Sequence, residues 1–463
     1  MATTASLADL AERELAAFAG ELIAPGDAGY DDARKVHNAM IDRRPALIAR
    51  SASPDDVAAA VGFAARHDAL LAVRGGGHNG GGLGIADDAV VIDLGLMRGI
   101  TVDADARTVR VEGGATWREV DAATHQAGLA TPSGIIGTTG VGGLTLGGGI
   151  GYLARKHGLT IDNLLEAELV LADGSRARAS ARENPDLFWA IRGGGGNFGV
   201  VTAFTFRLHP VSIVNAGPTF WPIEHAGEVL RAYREFMPAA DRDANGFFLF
   251  GFVPPAPPFP EALHGRQVCG IVWCHLGSEE EAAQAMAPML AVGTPLMHGV
   301  GAVPFPGIQG AFDGLYPAGL QWYWRADFVR ELSDAAVDAH VEWGGKTPTG
   351  HSTMHLYPID GAVADVAQDD TPFSYRDVKW AEVIVGVDPD PANAGVITDW
   401  TKAYWDATHQ YSAGGAYVNF MMDEGQERVR ATYQGNYDRL ARIKAAYDPK
   451  NTFRVNQNIR PAS

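Results

Sequence analysis

Three dense glycine clusters constrain the fold of this chain more than any other feature. Of 56 glycines in 463 residues, many fall in RGGGHNGGGLG at 74 to 84, GIIGTTGVGGLTLGGGIG at 134 to 151 and RGGGGNFG at 192 to 199. Each cluster is bounded by residues that read as regular structure. The glycines therefore belong to loops where backbone lies close to something or takes a positive φ. Runs of glycine leave backbone N–H groups uncovered, and such loops form nests for phosphate oxygens. Two of them in one domain point to a pyrophosphate. The stretch GVGGLTLGGG does not meet the dinucleotide-fold pattern, because no long strand leads into it, and no P-loop ending in Gly-Lys-Ser/Thr is present.

Around the clusters the pattern is α+β with short strands. Ser53-Pro54-Asp55-Asp56 supplies a cap, a first-turn proline and acids for a helix over VAAAVGFAARH, which feeds the strand LLAVR. AVVIDL follows the first cluster, then a hairpin in GITVDADARTVRVEGG, then Thr116-Trp117-Arg118-Glu119, a capping box opening the helix WREVDAATHQAG. Asn184-Pro185 opens another helix before the alternating strand VVTAFTFRL. From about 212 to 410 the glycine clusters stop, and aromatic strands (FFLFGFV, LQWYWRADFV, WAEVIVGV) alternate with helical stretches such as GSEEEAAQAMAPMLA. This reads as a second α+β domain, with VPPAPPFPEA a loop inside it. Residues 411 to 463 hold an amphipathic helix ending before Asp448-Pro449 and an Asn-rich tail, read as returning to complete a site.

A chain of this length needs more than one core, and 46% hydrophobic with 20% charged residues is a folded globular composition. The net charge of -18, without a Lys/Arg cluster, opposes binding to nucleic acid or an anionic membrane. No apolar run approaches the ~20 residues of a membrane span, and the start MATTASLADLAEREL lacks signal-peptide features. A cytoplasmic protein is expected; a homodimer is left open. Cys269 and Cys274, five apart on one strand, face opposite sides and read as buried thiols, not a bridge or zinc site. His351 and His355 have no third ligand beside them, so no metal site is assigned. His78 lies inside the first glycine loop, where an imidazole has little apolar packing and would point at whatever the backbone cradles; a loop histidine that is merely solvated or hydrogen-bonded is the plain alternative.

The residues at this point resemble the berberine bridge enzyme-like flavoprotein oxidases, which have the vanillyl-alcohol-oxidase (PCMH-type) FAD-binding fold. The resemblance covers AVRGGGHN at 72 to 79, TTGVGGLTLGGGIGYLARKHGLTIDNL at 138 to 164, ENPDLFWAIRGGGGNFGVVTAF at 183 to 204, and AYVNF with YDPKNTFRVNQNI near the C-terminus. It implies a two-lobed FAD-binding domain in residues 1–211, a substrate domain with an antiparallel sheet in 212–410, and a segment, 411–463, that rejoins the FAD-binding domain. It implies that the loop of Arg74, Gly75, Gly76, Gly77 and Asn79 wraps the FAD pyrophosphate and that His78 carries an 8α-histidyl bond to the flavin. Further cofactor contacts implied are Gly137, Thr138, Thr139, Gly140, Gly142 and Gly143, then Gly147, Gly148, Gly149 and Tyr152. Gly199, Val200, Tyr417, Asn419, Asn456 and Asn458 complete the set. Some members carry a second, cysteinyl flavin bond, but the aligned position here is Ile136, so a single bond is expected. The position that gates oxygen in the family aligns with Thr139, whose valine-like shape leaves room for oxygen and favours an oxidase releasing peroxide.

The mechanism implied is hydride transfer from a substrate C–H to the flavin, assisted by a base. Tyr417 resembles a family tyrosine near the flavin, although Phe420 stands where the family pattern often has a second tyrosine. Glu382 in WAEVIVGV is a second candidate, with a raised pKa if buried; a sheet-surface glutamate is the plain alternative. Tyr323 in QWYWRADF is a third, against a reading as aromatic core, and His355 reads as a hydrogen-bonded histidine. The substrate class stays open between alcohols, sugars, phenols and alkaloids. A flavin-dependent dehydrogenase using another acceptor, a nicotinamide-dependent dehydrogenase and a flavin- or carbohydrate-binding protein without catalysis are the rival readings, separable by whether a yellow chromophore survives acid precipitation and bleaches with substrate.

Overall fold

Alternation of apolar residues along short strands decides which faces of this molecule are covered. The structure is a computed structural model describing residues 6–462. In the first lobe, strands Glu21–Ile23, Leu47–Arg50, Val90–Asp93 and Leu71–Arg74 lie side by side in that order, the last three parallel. Leu47, Ala49, Val90 and Ile92 face the helix Pro54–Arg66, while Ile48, Val91 and Ala72 pack on Tyr30 and Ile85. A sheet covered on both faces is what parallel pairing requires. Ser53 caps the helix, its hydroxyl accepting from the Asp56 N–H at 3.2 Å.

The second lobe is an antiparallel five-stranded sheet ordered Ile100–Asp103, Thr108–Glu112, Val200–Arg207, Leu164–Val170, Arg176–Ser180. Its helix Trp117–His125 opens with the capping box, the Glu119 carboxylate accepting from the Thr116 N–H and hydroxyl, each at 2.8 Å.

An eight-stranded antiparallel sheet follows, built on the order Met297–His298, Ile213–Pro222, Gln267–His275, Ala244–Phe252, Thr353–Pro358, Trp380–Asp388, Gln321–Val329, with Gly301–Pro304 also paired to Ile213–Pro222. Helices Ala226–Ala239, Glu279–Leu290, Asp334–Gly344 and Ala394–Thr408 cover one face, burying Phe248, Phe250, Ile271, Trp273, Met354 and Ile384. Fully burying such side chains contributes about 1.5–3 kcal/mol each. Phe247, Val272, Tyr357, Val383 and Val385 point the opposite way, into the core shared with the second lobe. Cys269 and Cys274 are free and buried, one on each face. No helix among the described residues is long and apolar enough to cross a membrane, and no group of three or more His, Cys, Asp or Glu there could hold a metal.

The C-terminal segment leaves this sheet through helices Gln426–Tyr433 and Tyr437–Tyr447 and packs back on the first two lobes. Lys444, fully buried, holds it there. Its ammonium donates to the Asn197 carbonyl at 2.6 Å, to Asp448 at 2.6 Å and to the Phe453 carbonyl at 3.0 Å. Asn197, in the third glycine cluster, accepts from the Ile459 N–H at 2.9 Å and donates to the Gln457 carbonyl at 3.2 Å. Removing one member of a buried ion pair leaves an uncompensated charge. Lys444→Met is expected to lower unfolding free energy by about 3–5 kcal/mol, read from the urea midpoint, with Lys444→Met/Asp448→Leu recovering part of the loss.

Candidate active site

The first two glycine clusters cross each other. A Cβ on Gly76 would lie 2.4 Å from the Gly140 nitrogen, and one on Gly140 would lie 2.3 Å from the Gly76 nitrogen. Neither position accepts a side chain without moving backbone. The second loop is fixed from below: Trp117 and Arg118 donate their N–H groups to the carbonyls of Thr139 and Gly137 at 3.0 and 2.7 Å, and Val141 N–H reaches the Ala115 carbonyl. The helix start made by the capping box therefore holds the loop that carries Thr139 and Gly140. Gly77, at φ 68°, turns the first loop back toward Val36 and His37.

This crossing borders a cavity of about 310 Å³ that reaches from the first lobe to the eight-stranded sheet. Gly75, Gly76, Gly77, His78 and Asn79 line it with Thr139, Gly140, Gly142 and Gly143 on the side of the loops. Gly199, Val200, Asn456 and Gln457 form the wall where the tail meets the third cluster. The His78 ring stacks on that of His37, centroids 3.9 Å apart and planes 19° from parallel. Burial pushes the His78 imidazole down to about 3, with His37 acting in the same direction and the Thr138 backbone opposing; burial alone pushes His37 down to about 4. Both rings are neutral at ordinary pH. His37 carries no motif of its own in the sequence; it is placed by backbone bonds, its N–H to the Gly77 carbonyl and its carbonyl to the Gly319 N–H, both at 3.0 Å.

The sites expected from sequence divide into groups. Arg74 lines the cavity, but its guanidinium is held by Asp93 at 2.6 Å and by the carbonyls of Ala33 and Lys35, so it buttresses the loop. Gly137 gives its N–H to Asp313 at 2.7 Å, and Gly147, Gly148 and Gly149 make room for Asn419, Phe373 with Tyr417, and Thr160. Tyr417 reaches the cavity with its hydroxyl accepting from the Gly149 N–H and the Asn419 amide, both at 2.8 Å, while burial pushes its pKa up to about 12. Asn456 lines the cavity with its carboxamide oxygen buried and without a partner among the described residues; the Asn458 carboxamide oxygen and the Thr138 hydroxyl are likewise buried without one, but these residues, like Gly137, Gly147, Gly148 and Gly149, do not border the cavity. Tyr152 does not border the cavity and sits among Phe247, Cys274 and Tyr357.

Two catalytic expectations are corrected by strand phase. Glu382 is 2% exposed and faces the helices, accepting from the Thr408 hydroxyl at 3.2 Å with His340 3.9 Å away, whereas its neighbours Val383 and Val385 face the cavity. Tyr323 also points outward, under Arg325 and Lys402, and Trp322 and Trp324 take the cavity side. His355, expected as a hydrogen-bonded histidine, does border the cavity and pairs with Tyr357.

These residues fit an FAD: crossed glycine loops for a pyrophosphate, a neutral imidazole beside them, and the buried unpaired carboxamide oxygen of Asn456 on the cavity wall. Residues 45–180 match the FAD binding domain model and residues 416–460 the berberine and berberine-like model. An FAD-linked oxidoreductase of Dictyostelium discoideum is 31% identical over 92% of this chain and 90% of that protein. The chain belongs to the berberine bridge enzyme-like FAD-linked oxidoreductases. This oxidoreductase is also 29% identical to (R)-6-hydroxynicotine oxidase of Paenarthrobacter nicotinovorans, over 96% of this chain and 97% of that one. The crystal structure of 6-hydroxy-D-nicotine oxidase from Arthrobacter nicotinovorans superposes with a TM-score of 0.84 at 26% identity, covering 96% of this chain and 98% of that one.

The displaced Glu382 yields a measurable consequence. Burial pushes its carboxyl up to about 8 from 4.5, so the folded protein keeps it protonated at neutral pH while the unfolded chain ionises it. Stability from this group is present below 4.5 and is lost as pH rises from 4.5 to 8. Glu382→Gln is expected to unfold at higher urea than the parent, by a margin that grows across that window to on the order of a few kcal/mol. Its rate of flavin reduction should stay within about twofold, a difference below 0.5 kcal/mol.

Proposed function

We propose that this oxidoreductase is an oxidase that holds FAD covalently through His78, accepts a hydride from a small organic molecule and passes the electrons to O2 as H2O2. The observation that carries the reading is the placement of His78 at the crossing of two glycine loops, opening into a cavity whose far wall is aromatic. The kinship with an oxidase of 6-hydroxynicotine supports the direction of the chemistry.

Bound FAD supplies the two-electron acceptor. The neutral His78 ring has a free lone pair for bonding to the cofactor, and His37 stacked on it limits its rotation. Ile136 borders the cavity where a second, sulfur-linked attachment would need a cysteine, so one covalent bond is proposed. Thr139, at the oxygen-gate position of the resemblance, also borders the cavity and is small. Tyr417 remains a phenol at neutral pH and is proposed to act as a fixed wall with Asn419, held by the Gly149 N–H. The substrate enters beside Trp322, Trp324, Tyr357 and Phe420.

Acid precipitation followed by mass spectrometry is expected to find flavin on the peptide containing His78; flavin released in full from the wild-type protein would sink the covalent reading. His78→Ala should leave FAD acid-extractable and lower the rate of flavin reduction. Thr139→Leu adds bulk where oxygen enters. It should slow reoxidation of the reduced enzyme by air, measured by rapid mixing, far more than anaerobic reduction by substrate. Equal slowing of both would indicate overpacking damage, and wild-type enzyme that turns over only with a dye and releases no peroxide would mark it as a dehydrogenase.

A further inference from the structure

The half of the cavity away from the glycine loops has a chemical character of its own. Among the described residues that line the whole cavity, none is Asp, Glu or Lys. The one arginine, Arg74, is already paired with Asp93. The histidines there are neutral, His355 because burial pushes it down to about 3. A charged ligand would be stripped of water and meet no counterion.

The walls are flat rings set at steep angles. Trp322 lies 5.4 Å from Tyr316 at 54°, Trp324 is edge-on to Trp322 at 5.8 Å, and Phe420 is edge-on to Trp324 at 5.9 Å. Such quadrupoles favour a planar aromatic guest. A sugar would stack on tryptophan too, but each of its hydroxyls needs a partner once buried. Here the Tyr316 hydroxyl is given to the His351 carbonyl and the Thr353 hydroxyl to the Phe250 carbonyl.

The polar groups left for a ligand are few: the buried indole N–H groups of Trp322 and Trp324, which have no partner among the described residues, and one pair of side chains on the sheet. The His355 Nδ1 and the Tyr357 hydroxyl are 2.7 Å apart, and the imidazole is clamped further by Phe247, whose ring centroid is 4.7 Å away. A neutral imidazole has one donor and one acceptor nitrogen. With Nδ1 engaged by Tyr357, the other nitrogen makes no hydrogen bond to any described residue.

We propose that this aromatic half binds a neutral aromatic substrate carrying a hydroxyl group, with His355 taking that hydroxyl and Tyr357 holding the imidazole in place. This rests on the oxidase reading above and narrows its substrate class. Tyr357 is a positioning residue in this arrangement, and His355 touches the substrate.

The test uses the flavin-loaded enzyme and unreactive probes, titrated by calorimetry and by perturbation of the flavin spectrum. Phenol is expected to bind about tenfold or more tightly than toluene, the worth of a hydrogen bond made in a dry site. Benzoate, benzylammonium and cellobiose should each bind more weakly than phenol. In His355→Phe the preference for phenol over toluene should vanish while toluene still binds, which shows that the pocket is intact. His355→Gln, which keeps an acceptor, should restore part of the preference, and Tyr357→Phe should reduce it by a smaller factor. Cellobiose or benzylammonium binding tighter than phenol, or an unchanged phenol-to-toluene ratio in His355→Phe, overturns the proposal. Peroxide release from cellobiose without phenol binding would leave the oxidase reading standing and remove this one. Phenol binding with no peroxide from any aromatic alcohol would do the reverse.

Discussion

The contact between Gly76 and Gly140 is the constraint on which the rest of the site depends. Two backbones separated by less than the space of a methyl group can only meet where neither residue has a side chain. The meeting point fixes the relative height of the parallel sheet that feeds the first loop and of the capped helix that carries the second. His78 and Thr139 then face one space because they flank that point at two and one residues' distance. The opening between loops and eight-stranded sheet is therefore set by backbone geometry, and side chains only furnish it.

Around that crossing the molecule distributes its tasks by layer. The parallel sheet and the capping box are rigid supports with few polar groups in the cavity. The tail closes the side, through a lysine that has no route to water and an asparagine in the third glycine cluster. The loop ahead of Gln321–Val329 brings in Phe312 and Tyr316 and is tied to the flavin lobe by Asp313, which accepts from the Gly137 N–H at 2.7 Å and from Arg118 at 2.6 Å. Substrate wall and cofactor loop are thus joined by one carboxylate.

Much of this was legible in the sequence because it is local. Ser53 and Thr116 announce their helices by capping chemistry, the glycine clusters announce close backbone, and the motifs carry the family resemblance with His78 inside it. What the sequence does not disclose is strand phase. WAEVIVGV is buried on both faces, one under helices and one over the cavity, and QWYWRADF has aromatic residues on both faces and is half-buried from Tyr323 to Arg325, so in neither strand does a polar residue reveal its direction. Glu382 and Tyr323 were chosen for their chemistry and sit one residue out of step with Val383 and Trp322. His37 carries no sequence signal at all, and His355 reads only as a hydrogen-bonded histidine, since what makes each one part of the site is a partner distant in the chain or a cavity on one side of its strand.

The arrangement of the tail also bears on how the protein is made. The wall of the cavity is shared by residue 74 and residue 457, so nearly four hundred residues must be synthesised between its first loop and its last contribution. While a nascent chain holds only the glycine loops, the cradle stands open on the side that Asn456 and Gln457 later occupy, and the buried nitrogen of Lys444 has not yet found the Asn197 carbonyl. The cradle is accordingly complete only when residues from both ends of the chain have come together. A chain cut short between the third glycine cluster and the helix Tyr437–Tyr447 would carry all three glycine loops and lack the wall that Asn456 and Gln457 supply.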